Sequence, residues 1–245
     1  MAKTKKVIVA GALVVEAIYP RAKRGDSDRA RGEKKKLSSA AQQRMNQIYS
    51  AQKLELILAA NFVPGDCVVL LTYADDNLPL TWKEAEGRLK YFRSKFSKQR
   101  KAAKSELRIV WNTEGKHGDT RFHHHIVFNS SGDDLETLQQ LWTYGNVELH
   151  PLRLDKEKNY ASLATYMCKE TREKPGLRSW SYSRNCKQPE VESFSVPDDT
   201  TIQAPKGSVV LEEHSESNQY GSYKVVKYIS SKLPKAPRAR RKRKR

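Results

Sequence analysis

Between residues 67 and 171 the chain alternates short apolar runs with amphipathic stretches, and that order leaves very few folds open. Cys67 to Tyr73 is a nearly continuous apolar run of strand length. Thr81-Trp82-Lys83-Glu84 matches a capping box, in which the threonine and the glutamate three residues on satisfy the free backbone donors of a helix start. The helix it opens carries Trp82, Ala85, Leu89, Phe92 and Phe96 at helical spacing. Leu107 to Glu114 and Arg121 to Asn129 read as strands joined by a turn over Gly115 to Thr120. Asp133 or Asp134 caps a short helix through Trp142, Val147 to Leu154 is another strand, and Lys158 to about Thr171 a helix. The order is β-α-β-β-α-β-α, whose first six elements are the split βαβ unit. The expectation is an α+β, ferredoxin-like fold: an antiparallel sheet with helices on one face and the other face available.

Outside this stretch the signals are weaker. Val7 to Tyr19 predicts one strand or a bent pair, and Pro20 to Lys36 is charged and turn-prone. Ser39 to about Ala60 predicts a helix that buries Met45, Ile48, Tyr49, Leu54, Ile57 and Leu58. Beyond Lys174-Pro175-Gly176 the chain reads as loop-rich, with a strand at Tyr223 to Ile229.

Charge is needed to ask what the chain touches. Of the net +18, residues 1–36 carry +7, and residues 232–245 hold nine Lys/Arg and no acid, which leaves +2 for residues 37–231. Basic arms around a nearly neutral body point to nucleic acid. Three cysteines without a CxxC pair argue against a disulfide or zinc-ribbon scaffold and fit a reducing cytoplasm. The basic start followed by Val7 to Val15 reads as a strand, not an export signal, and no apolar run approaches the roughly 18–20 residues of a membrane span.

The chemistry centres on Arg121-Phe122-His123-His124-His125-Ile126-Val127-Phe128. Side chains two apart on a strand share a face, so His123 and His125 stand together and His124 turns to the apolar side. If the turn closes without a bulge, Glu114 faces Arg121 and lies on the same face, diagonal to His123. Two imidazoles and a carboxylate suit Mg²⁺, Mn²⁺ or another borderline divalent ion with positions left open. A bulge would move Glu114 away and make His117 a rival ligand. Downstream, Tyr166 and Lys169 are three apart and address one point if both are helical. A nearby cation favours the phenolate, and a metal-polarised phosphate is a matching electrophile. Tyr160 competes for the role, but six residues earlier it points about 120° away around a helix.

These pieces resemble the three motifs of HUH endonucleases, specifically the rolling-circle replication initiator (Rep) proteins of plasmids and phages. Leu70-Leu71-Thr72-Tyr73 is similar to their first motif. Trp111-Asn112-Thr113-Glu114-Gly115, followed by Phe122-His123-His124-His125, is similar to the metal-binding motif, although His124 stands where a bulky apolar residue is usual. Tyr166-Met167-Cys168-Lys169-Glu170 resembles the nucleophile motif. The likeness covers about residues 60–190.

The resemblance implies an endonuclease domain over 37–231, flanked by a basic N-terminal arm (1–36, with its strand at 7–19) and a basic disordered tail (232–245). It implies that His123, His125 and Glu114 hold Mg²⁺ or Mn²⁺, that Tyr166 attacks a phosphodiester of single-stranded DNA at a replication origin, and that Lys169 steadies the phosphate. Arg121 and the tail residues Arg238, Arg240, Arg241, Lys242, Arg243, Lys244 and Arg245 are the expected DNA contacts. With no Gly-x-x-x-x-Gly-Lys-Ser/Thr in the chain, unwinding falls to a separate helicase of a bacterial host, in its cytoplasm. A conjugative relaxase or a single-tyrosine transposase shares these motifs. Two other classes compete: a non-catalytic nucleic-acid-binding module and a basic packaging protein.

Overall fold

The computed structural model describes residues 3–20, 40–115, 121–132, 134–169, 178–218 and 221–231. In chain order the first elements are β1 (Lys3–Ala10), β2 (Leu13–Pro20) and α1 (Ala40–Asn61). Then come β3 (Cys67–Thr72), α2 (Trp82–Ala102), β4 (Ile109–Glu114), β5 (His123–Phe128), α3 (Asp134–Leu141) and β6 (Val147–Pro151). The last are α4 (Ala161–Met167), β7 (Ser181–Tyr182), β8 (Glu190–Val196), β9 (Val209–Asn218) and β10 (Gly221–Ile229). They fall into two compact units, Ser27–Gln188 and Met1–Asp26 with Pro189–Arg245.

The larger unit is the α+β fold expected from the sequence. Its antiparallel sheet has the order β6-β3-β5-β4-β7, so the split βαβ strands run in their proper sequence with β7 added at one edge. Thr81 caps α2 by accepting from the Glu84 N–H, while the Glu84 carboxylate accepts from Leu80 N–H, one residue further out than a capping box requires. Alternate strand residues Val69, Leu71, Ile109, Ile126 and Phe128 pack against Leu89, Phe92 and Phe96 of α2 and Leu138 of α3, with Trp142 just beyond that helix. Aromatic rings meet edge-on here, Phe96 on Phe128 and Phe92 on Trp142. Arg100 and Asp134 form a buried ion pair at 2.7 Å, and Ser130 and Ser131 supply the carboxylate with further donors.

The second sheet face is not left open. Val110 and Val127 pack beneath Leu54, Ile57 and Leu58 of α1 and Ala164 and Met167 of α4. Asn112, Glu114 and His125, expected on an exposed face, are therefore buried. The α1 burial expectation also needs correcting, because Met45, Ile48 and Tyr49 are exposed. At 22 residues α1 is about 33 Å long and overreaches the seven-residue α4 it packs against, so its buried residues, Leu54 to Asn61, fall in its C-terminal half.

The smaller unit is a second antiparallel sheet, ordered β8-β1-β2-β10-β9. Of the single strand or bent pair expected at 7–19, the chain forms the pair, as a hairpin, and the strand expected at Tyr223 to Ile229 pairs with its second arm. Val14, Ile18, Val226 and Tyr228 form its core with Ile202. Lys5 pairs with Glu16 at 2.6 Å, and Glu16 also accepts from the Tyr228 hydroxyl. Residues 189–229, expected to be loop with one strand inside the endonuclease domain, supply three of its five strands.

Candidate active site

Parity places the site. In the observed register Glu114 lies opposite His123 and Asn112 opposite His125, two residues off the expected pairing. A shift of two keeps every side chain on its face, so Glu114 still joins the two histidines and now sits directly across from His123. Gly115 permits the sharp exit from β4: its φ is +116°, and a Cβ there would meet the Phe122 backbone at 2.5 Å. His117 lies outside the described residues.

Glu114, His123 and His125 present a carboxylate oxygen and two imidazole nitrogens, all within 4.8 Å of one another. The His123 Nδ1 is 2.8 Å from the Arg121 carbonyl, which only accepts, so Nδ1 carries a proton and in the neutral ring the lone pair falls on Nε2. That Nε2 is 3.3 Å from Glu114 Oε2, and His125 Nε2 is 3.5 Å from Oε1. The His125 Nε2 is buried without a hydrogen-bond partner among the described residues. A fixed tautomer, an unpartnered imidazole nitrogen and a buried carboxylate fit a divalent cation with mixed N/O ligands.

Electrostatics at Glu114 are set by competition. Burial pushes its carboxyl up, but the contacts with His123, His125 and Lys169 outweigh it and hold the group far below the usual carboxylate range. Burial likewise lowers His123, and the bonds to Glu114 and the Arg121 carbonyl more than reverse it. Lys169 is held above its ordinary value against its own desolvation, again by Glu114, with help from Tyr166. Asn112 braces the carboxylate, its Nδ2 donating to Glu114 Oε1 at 3.1 Å and to the Met167 carbonyl at 2.9 Å.

Tyr166 and Lys169 do meet here, by a different route from the one expected. The helix expected from Lys158 to Thr171 is the short α4, so Lys169 lies past its end rather than on a shared helical face; Thr171 is outside the described residues. Its ammonium reaches Glu114 Oε2 at 2.9 Å and lies 4.1 Å from the centre of the Tyr166 ring. The Tyr166 ring stands edge-on to His125 at 5.0 Å and is 46% exposed. Gln47 of α1 bonds the carbonyls of Cys168 and Lys169, both at 2.8 Å, and so ties down the turn that carries the lysine. Nothing local in the sequence linked Gln47 to a segment 121 residues away; Asn112 was legible, as a same-face residue two before Glu114.

Tyr160 is elsewhere. It is buried among the α1 and α4 side chains with its hydroxyl 3.4 Å from the Phe62 carbonyl, and burial pushes its phenol up to about 12. Arg121 is half-exposed and pairs with Asp75 while donating to the Tyr73 carbonyl. The tail cations Arg238 to Arg245 lie outside the described residues.

His124 occupies the opposite face, fully buried. Thr113 gives its hydroxyl proton to Glu86, so its oxygen accepts from His124 Nδ1 at 2.9 Å, and the Tyr73 hydroxyl donates to Nε2 at 2.7 Å. Burial first, then the neighbouring histidines, push its pKa down to about 3.

Fold and site together define an α+β protein with a candidate divalent-metal centre on a split βαβ sheet. Residues 66–171 match the family model of the replication-associated protein ORF2, a stretch that runs from the edge of β3 through Lys169 and contains every member of the cluster. No curated protein and no solved structure matches the chain.

Proposed function

We propose that the chain is a metal-dependent endonuclease that nicks and rejoins single-stranded DNA at an origin and so initiates rolling-circle replication. One observation carries the reading. Lys169 bridges Glu114 and the Tyr166 ring, so an exposed tyrosine and a cation stand at the same candidate metal site. The similarity of residues 66–171 to a replication-associated family supports it.

Glu114, His123 and His125 would hold Mg²⁺ or Mn²⁺, which when bound supplies Lewis acidity to a non-bridging phosphate oxygen. Tyr166, the exposed member, directs its hydroxyl at phosphorus. As its phenol proton passes to solvent water, the Tyr166 O–P bond forms and the P–O3′ bond breaks. The departing oxygen takes up a proton as the 3′-OH, and the 5′-phosphate stays on the tyrosine. Lys169 offers positive charge beside the phenolate and the phosphoryl oxygens. Attack by a later 3′-OH reverses the step and rejoins the strand, because the phosphotyrosine conserves the bond energy.

In this reading Ser27–Gln188 is the nicking unit, Arg121 and Arg238 to Arg245 add salt-dependent affinity for DNA, and a separate helicase of a bacterial host unwinds the duplex in its cytoplasm. Among the described residues no helix is long and apolar enough to cross a membrane. The non-catalytic binding reading is less well supported, since the covered sheet face carries a buried carboxylate and histidines rather than exposed stacking aromatics.

The test incubates the full chain with labelled single-stranded origin DNA and Mn²⁺ or Mg²⁺ and looks for a protein–DNA band that survives SDS. EDTA and Tyr166→Phe are expected to abolish the band. An adduct that persists in Tyr166→Phe assigns the nucleophile elsewhere.

A further inference from the structure

Three of the chain's four tryptophans line one groove beside the site. The groove opens at the outer edge of β4, where β7 pairs only at Val110–Tyr182 and Trp111–Ser181. Its walls are Trp82 and Glu86 of α2, Trp111 and Asn112 of β4, and Arg178 and Trp180 from the stretch before β7. The cavity volume is about 200 Å³, smaller than the roughly 300–1,000 Å³ that takes a whole small-molecule ligand.

Two walls are held in place. The Arg93 guanidinium covers the Trp111 ring at 3.5 Å, and the Trp180 indole N–H donates to Ser50 Oγ at 3.0 Å. Asn112 belongs to both places. Its Nδ2 braces Glu114, while its Oδ1 is buried without a hydrogen-bond partner among the described residues.

We propose that this groove is a nucleobase subsite, taking one base of the single strand whose neighbouring phosphate lies at Tyr166. The inference rests on the proposed function and adds where the substrate's bases go. Indole faces accept the π-face of any base, and a small slot with fixed walls favours a flat ring. Arg178 supplies a cation for the backbone or a ring face. The Glu86 carboxylate is an acceptor suited to an exocyclic amino group. The combination is a stacking platform with a polar end, and its Asn112 lies two residues along β4 from Glu114.

The experiment uses the full chain in EDTA, so that binding is read without cleavage. A short single-stranded oligonucleotide with 5-iododeoxyuridine in place of thymidine is irradiated with the protein, and the cross-linked peptide is mapped by mass spectrometry. The cross-link is expected on Trp82 or Trp111. In parallel, Trp82→Ala is expected to weaken oligonucleotide binding by fluorescence anisotropy roughly 10-fold, and Trp82→Phe to restore most of it. Cross-links confined to other parts of the chain, or wild-type affinity in a Trp82→Ala protein with an unchanged melting temperature, overturn the subsite. The two readings fail separately. Loss of the subsite leaves the SDS-stable adduct of the wild type intact, whereas absence of any adduct with Trp82 still cross-linked retains the groove and removes the nicking reaction.

Discussion

His123, His124 and His125 are consecutive residues of one strand, and its two faces use them in opposite ways. On one face His123 and His125 turn an imidazole nitrogen each toward the Glu114 carboxylate. On the other, His124 has both nitrogens engaged, by Tyr73 and Thr113, and stays neutral because burial holds its pKa near 3. The residue type is identical, so the pleat decides the role. A satisfied imidazole holds a core together, and an imidazole with a spare lone pair beside a carboxylate is available to a cation.

Substitutions on each side break this contrast in different observables. The largest effect is expected from Glu114→Ala, which removes the oxygen ligand and the partner of Lys169. Nicking should fall on the order of 10³-fold, measured as the initial rate of adduct formation, and a rate within a few-fold of wild type would remove Glu114 from the machinery. Next comes His124→Ala, which empties a buried site and leaves the Tyr73 and Thr113 hydroxyls short of partners. It should cost about 3 kcal/mol in urea unfolding, whereas His123→Ala, at the partly exposed position, costs far less.

A smaller effect sharpens the picture of the His124 side, where Asp134 and Arg100 staple α3 to α2. Burial raises the Asp134 carboxyl, but bonds from Ser131 and Ser130 and the Arg100 charge outweigh it and set the folded value below the usual range. A depressed folded value means that the unfolded chain binds the proton first. The stabilisation is therefore complete above about pH 4 and is lost as pH falls through the folded value. Acid unfolding of Asp134→Asn should show a shallower decline below pH 4 than the wild type, and parallel curves would contradict the assignment. The smallest effect belongs to Tyr160→Phe, which gives up one long hydrogen bond. Stability should change by less than about 1 kcal/mol and adduct formation should be unaltered; a lost adduct would make Tyr160 a second nucleophile.

How much was legible depended on which residues were neighbours in sequence. The split βαβ order could be read because each strand and helix announces itself within a dozen residues, as Thr81 does for α2. The Glu114–histidine face survived a register error because the error was even. Tyr166 and Lys169 were placed together for the wrong reason. The expected shared helical face does not exist, and the turn held by Gln47 brings the lysine round instead.

What failed were non-local pairings. Nothing within residues 190–218 says that Glu190–Val196 pairs with Lys3–Ala10 across more than 180 residues, nor that α1 and α4 cover the sheet face that bears the site. Alternation along a strand is a property of the backbone, so the sequence by itself determined which side chains share a face and hence which histidines can bind together. Burial is a property of whatever packs on that face. Only the tertiary structure decided that Glu114 is enclosed, that Lys169 reaches it, and that Met45, Ile48 and Tyr49 of α1 are exposed.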